Sequence, residues 1–204
     1  MSAAGDWLSD PAEIYRRSFA AILAEADLGR VPHDLQDLVI RVIHACGMVD
    51  LPADMRWSDG AGTMGRAALK AGKPILTDAR MVAEGIIRRR LTGGNPVLCT
   101  LGAVPEAKGT TRSAAAIDLW IPHLDGAVVA IGNAPTALFR LLDLIKAGAP
   151  RPALILGFPV GFVGAAESKA ALAESDLPHV TLLGRRGGSA MAAAAVNALA
   201  GEAA

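Results

Sequence analysis

The sequence predicts an α/β protein: one doubly wound, mainly parallel sheet with helices on both faces and additional helices at the N-terminus. Three observations carry this. From Pro74 onward, short apolar runs alternate with helical patterns, as parallel strands and crossover helices do. Three of those runs end in turns that open a helix: Gly132-Asn-Ala-Pro-Thr136, Gly157-Phe-Pro-Val-Gly-Phe162 and Gly184-Arg-Arg-Gly-Gly-Ser189. The first third lacks such runs and shows apolar residues at helical spacing instead.

Asp10-Pro-Ala-Glu13 starts the first helix, with Asp as N-cap, Pro at N1 and Glu at N3. It runs to about Asp27 and is expected to bury Ile14, Phe19, Ile22 and Leu23. A second helix follows Pro32, with Leu35, Leu38, Val39, Val42, Ile43 and Cys46 on one face and Gly47 as its stop. A third covers Gly62 to Lys70 and ends at Gly72. Five strands are expected at Pro74–Thr77, Pro96–Leu101, Ala127–Ile131, Ala153–Leu156 and Val180–Leu183. Helices start near Ala79, Thr111, Pro135, Ala165 and Gly188. The result is a five-stranded flavodoxin-like sheet. The alanine-rich stretch from Ala190 suits a closely packed helix. No linker divides the chain, so residues 1–204 read as one domain.

Composition excludes several classes. The 204 residues are 52% hydrophobic and 20% charged, which argues against disorder. Lys+Arg and Asp+Glu balance at 20 each, so no global field steers the chain toward nucleic acid or an anionic membrane. Arg88-Arg89-Arg90 reads as a solvated helix end. Cys46 and Cys99 form no C-x-x-C pair, which points to a reducing cytoplasm. No signal peptide is visible at Met1–Trp7, and no apolar run has the length of a membrane span.

In an open parallel sheet the turns after the strands share one edge, where ligands bind. Here that edge collects Thr77-Asp78-Ala79-Arg80-Met81, Thr110-Thr-Arg-Ser113 and the three glycine-rich turns. Helix N-termini there favour anions, and Arg112, Arg185 and Arg186 add positive charge. Close helix–sheet packing is the alternative explanation for the small residues. A dinucleotide is disfavoured, because no G-x-G-x-x-G follows the first strand, and no P-loop occurs. Nor is there a G-x-S-x-G elbow or a zinc spacing among His33, His123, His179 and the cysteines. Glu167 and Lys169 read simply as polar residues in a helix's first turns. His44, near the end of the second helix with Arg41 three residues before it, suits a proton donor. Pattern alone leaves a structural histidine as the alternative.

The chain resembles the precorrin-8X methylmutase family. The likeness lies in Tyr15-Arg-Arg-Ser-Phe19, Glu25-Ala-Asp-Leu28, Arg41-Val-Ile-His-Ala-Cys-Gly47 and Asp78-Ala-Arg-Met-Val82. It continues through Thr111-Arg-Ser-Ala-Ala115, Ile131 to Phe139, Pro159 to Lys169 and Gly187-Gly-Ser-Ala190. The resemblance implies a homodimer and an isomerase of corrin ring synthesis. Such an enzyme moves a methyl group from C-11 to C-12 of a tetrapyrrole without a cofactor or a protein-bound metal. It implies His44 as the catalytic proton donor and Ser18 and Arg41 as substrate contacts. Arg112, Ser113, Asn133 and Thr136 are added because they lie on the expected ligand edge, and Phe158, Phe162, Val160 and Met81 are expected to cover the ring. The chain departs from the family pattern at Leu23, where many members have Arg, and at Arg80, where an acidic residue is common. A tetrapyrrole carrier without turnover is the alternative function. A nucleotide-dependent oxidoreductase is a third reading, weakened by the missing fingerprint.

Overall fold

The computed structural model describes residues 7–104 and 106–201. The reading of residues 1–6 for a signal peptide lies outside them. The helices are α1 (Pro11–Glu25), α2 (Gln36–Cys46), α3 (Ala61–Lys70), α4 (Arg80–Gly85), α5 (Arg112–Asp118), α6 (Pro135–Lys146), α7 (Ala165–Ala173) and α8 (Ser189–Leu199). The strands are β1 (Met55–Trp57), β2 (Ile75–Thr77), β3 (Val97–Leu98), β4 (Val128–Ile131), β5 (Leu154–Gly157) and β6 (His179–Leu182).

The sheet has six strands, not the expected five, in the order β1-β6-β5-β4-β2-β3. Five are parallel at the expected places, and β1 joins as an antiparallel edge with Met55 opposite Leu182. Its three residues sit in Asp54-Met-Arg-Trp-Ser-Asp59, which has no apolar run. Only the neighbouring β6 makes it a strand. The parallel crossovers change direction between β2 and β4, which places the switch crevice at the ends of those two strands.

Alternation along the strands splits the interior into two cores. Ile75, Val128, Ala130, Leu154 and Leu156 face a layer made by α2, α3, α4 and α8. Leu76, Val129, Ile131 and Ile155 face α5 and α6, with Leu172 of α7. Helix α8 is the centre of the first layer: every residue from Met191 to Leu199 is buried. Its alanines allow α2 and α4 to approach closely, and the Cβ of Ala193 leaves Gly85 no room for a side chain. Asn197 Oδ1 accepts from the Ile87 N–H at 2.8 Å, and its Nδ2 donates to the Gly85 carbonyl at 2.9 Å.

Helix α1 starts as expected: Asp10 accepts from the Ala12 N–H, with Pro at N1. Its packing does not follow the sequence reading. Only Ile22 is buried; Ile14 and Leu23 are 42% and 57% exposed, and Phe19 is half-buried. Helix α1 packs chiefly on α2 at the outside of the first layer, and among the described residues no element covers its other apolar positions fully. Helix α2 meets expectation. Leu38, Val39, Val42 and Ile43 are buried, and Gly47 ends it at φ 71°, a left-handed conformation that glycine takes at little cost.

Candidate active site

His44 is exposed at the end of α2. Its Nδ1 lies 2.9 Å from Ser18 Oγ on α1. The imidazole also sits beside two stacked rings: Tyr15 and Phe19 are 4.2 Å apart, with His44 at 6.1 and 5.1 Å from them. Arg41, one turn earlier, donates to the Tyr15 hydroxyl at 2.8 Å, and its guanidinium lies over both rings. Residues 15, 18 and 19 share one face of α1 and residues 41 and 44 one face of α2, so crossing the two helices brings the five together. The sequence-predicted trio of Ser18, Arg41 and His44 therefore forms one cluster. Tyr15, which the reading of the residues had not assigned a role, is its fourth polar member.

Two open cavities flank the cluster. One of about 580 Å³ runs along Tyr15, Phe19, Leu23, Ile40 and Arg41. The other, about 210 Å³, is lined by Ser18, Ile22, Ile43, His44 and Gly47. Leu23, one of the departures from the family pattern, forms part of the first wall.

The end of α2 reaches the carboxyl edge of the sheet. Met48 Sδ lies 3.9 Å from Arg186, on the turn after β6. Arg186 is not free to attract a ligand: it pairs with Asp50 and Asp54, both at 2.7 Å. Lys169 donates to the Arg186 carbonyl from a fully buried position on α7. Burial, together with the nearby Arg186 charge, lowers its amine to about 8. The reading of Lys169 as an ordinary polar residue of a helix's first turns is corrected here; its long apolar stem allows the burial.

Arg112, Ser113, Asn133 and Thr136 lie across the switch crevice. Thr136 Oγ1 is 2.8 Å from Thr111 Oγ1, and Arg112 donates to the Leu101 carbonyl at 3.1 Å. Arg80, the other departure, packs against Gly102 on the same loop as Leu101. No hydrogen bond or ion pair among the described residues joins this group to the His44 cluster.

The turn after β4 differs from the expected anion cradle. Its N–H groups already have an acceptor: Asp78 takes Gly132, Asn133 and Ala134 at 2.9, 3.0 and 2.8 Å. Asp78 is 1% exposed. Burial raises its carboxyl above the usual range, and the three amides pull it partway back. Gly132 must lack a side chain, because a Cβ there would fall 2.8 Å from Ser189 Cα. The apolar cover is also revised. Phe158 is buried in the core, whereas Met81, Val160 and Phe162 are exposed, with Arg185 5.2 Å over the Phe162 ring.

An imidazole held by a hydroxyl and flanked by aromatic faces equips a protein to shift protons on an unsaturated molecule. With the crevice of a parallel sheet beside it, the architecture is that of an α/β protein with a group suited to acid–base work. The chain belongs to the precorrin-8X methylmutase family, whose model matches residues 13–202. It is 62% identical to "Precorrin-8X methylmutase" of Pseudomonas aeruginosa, over 97% of this chain and 98% of that protein. To "Cobalt-precorrin-8 methylmutase" of Priestia megaterium it is 40% identical, over 93% and 87%. The crystal structure of precorrin-8x methyl mutase from Thermus thermophilus superimposes with a TM-score of 0.86 at 42% identity, covering 93% of this chain and 94% of that one.

Proposed function

We propose that this isomerase moves a methyl group from C-11 to C-12 of metal-free precorrin-8X, giving hydrogenobyrinate, with His44 as proton donor. The Ser18–His44 hydrogen bond carries the proposal. With Ser18 Oγ accepting from Nδ1–H, the Nε2 proton is the one that moves. Protonation draws electron density from the conjugated system. The bond from the methyl to C-11 breaks as the bond to C-12 forms, and the proton then returns to Nε2. Atoms and electrons are conserved, as an isomerisation requires. Arg41 and Tyr15 present donors to a carboxylate of the substrate, and the Tyr15 and Phe19 faces suit a flat macrocycle. Arg112, Ser113, Asn133 and Thr136 are assigned to further acetate and propionate groups.

Identity supports the metal-free substrate: the relatives named for precorrin-8X are 62% and 55% identical, against 40% for the cobalt-precorrin-8 enzyme of Priestia megaterium. A homodimer is supported by α1, whose Ile14, Tyr15 and Leu23 lie uncovered; a second copy would bury them. The two unpaired cysteines support a cytoplasmic setting. The strand order of the parallel part, 2-1-3-4-5 once β1 is set aside, supports a flavodoxin-like origin. No helix among the described residues is long and apolar enough to cross a membrane.

The test is an absorbance spectrum of the protein mixed anaerobically with precorrin-8X. Many turnovers to the hydrogenobyrinate spectrum are expected, and His44→Ala should lose roughly a hundred- to ten-thousand-fold in rate while still binding substrate. A shifted but static spectrum, with one ligand held per site, would instead identify a carrier.

A further inference from the structure

Two consecutive apolar side chains stand out from the loop after β5: Phe162 is 86% exposed and Val163 89%. The backbone beneath them is held. Phe158 and Pro159 are buried at the base of the loop. The Gly161 N–H donates to the Arg185 carbonyl at 3.2 Å, and the Gly188 N–H to the Phe158 carbonyl at 2.8 Å. Gly187 lies so close to the Phe158 and Pro159 carbonyls that a Cβ there would collide with both. The loop is therefore built onto the turn after β6, and no described residue covers its apolar tip. Single exposed apolar residues are ordinary, but an adjacent pair on a braced loop marks a contact surface.

Arg185 narrows what that surface can take. It is exposed, its guanidinium lies 5.2 Å over the Phe162 ring, and it makes no ion pair among the described residues. Gly201, where the described chain stops, lies beyond the opposite end of α8, roughly 16 Å away along that helix. A guanidinium stacked on an aromatic face keeps its in-plane N–H groups for a carboxylate. The next residue, Arg186, grips Asp50 and Asp54 just past the end of α2, so this surface and His44 share one edge of the sheet.

We propose that Phe162 and Arg185 bind the substrate of the isomerase, an inference that rests on that reading of the function. The Phe162 ring, with Val163, packs on the flat face of the macrocycle, and Arg185 takes one of its carboxylates in a bidentate pair. A second copy of the chain would cover the apolar side chains but would need an acidic residue in register with Arg185. A macrocycle bearing acetate and propionate groups supplies the plane and the carboxylate together.

The test titrates hydrogenobyrinate, which is bound without being transformed, into the whole protein and follows its absorbance for Kd, with sedimentation velocity on the same samples. Phe162→Ala and Arg185→Gln should each weaken binding roughly tenfold with no change in sedimentation. Both side chains are exposed, so neither variant should disturb the fold. Phe162→Tyr keeps the ring and should keep the affinity. Arg185→Gln should also flatten the loss of affinity with added salt, because one ion pair is gone. Affinity unchanged in both variants would overturn the proposal. So would weaker binding that comes together with a smaller sedimenting species, which would assign the loop to a subunit contact. A wild-type protein that binds the macrocycle without turning over precorrin-8X would end the isomerase reading alone, and the same losses would still be expected of the variants. A wild-type protein that does not bind it would end both.

Discussion

The turn after β4 and the face of α1 both belong to the region expected to bind substrate, yet they are built in opposite ways. At the turn, three backbone N–H groups converge on one buried carboxylate, Asp78, and a glycine lets α8 approach. Every donor is satisfied within the chain. On α1, only Ile22 is buried, and Tyr15, Ser18 and Phe19 reach His44 from a helix held chiefly by α2. The turn is a fixed frame; α1 is a lightly held arm carrying the partners of His44, the proposed proton donor. The difference separates what the fold requires from what the chemistry requires. Substitutions at the first should register in stability and at the second in rate.

The largest effect is expected at the frame. Asp78→Ala leaves one buried and two half-buried N–H groups, of Gly132, Asn133 and Ala134, without their acceptor and should destabilise the fold by about 3 kcal/mol, read by chemical denaturation. Ser18→Ala comes next and acts the other way. Stability should change by less than about 0.5 kcal/mol, because Ser18 is only half-buried on α1. The rate constant for turnover should fall roughly tenfold, the worth of one oriented hydrogen bond. A stability loss as large as that of Asp78→Ala would break the contrast between frame and arm. The last effect is confined to alkaline pH. Lys169 has an ordinary value of 10.5 in the unfolded chain and about 8 when folded. Between these the unfolded chain binds the extra proton, so stability rises as pH climbs through that window, and the burial penalty is complete below it. Lys169→Met should flatten the rise in Tm across the same window.

Much of this was legible in the sequence because it is local. The N-cap at Asp10, the stop at Gly47, the five parallel strands and the starts of α4 to α8 each rest on a few neighbouring residues. The Ser18, Arg41 and His44 trio was legible through the family motifs, and helical spacing explains why each pair shares a face. The missed features are all non-local. Strand β1 depends on β6, the exposure of Ile14 and Leu23 on what does not pack against α1, and the burial of Lys169 on the turn whose carbonyl accepts its hydrogen bond. Asp78 was visible as a motif residue, but nothing near it in sequence announced that its partners lie 54 to 56 positions away.

The sequence by itself determined the class of the fold and the edge where the turns gather, because periodicity, capping and turn chemistry are short-range. Tertiary structure decided which charges are spent inside the chain. Arg186 is taken by Asp50 and Asp54 and the β4 turn by Asp78, while Arg41 meets only the neutral Tyr15 hydroxyl among the described residues. A side chain's type sets what it can bind, but only packing sets which partner is near and how much water remains to compete.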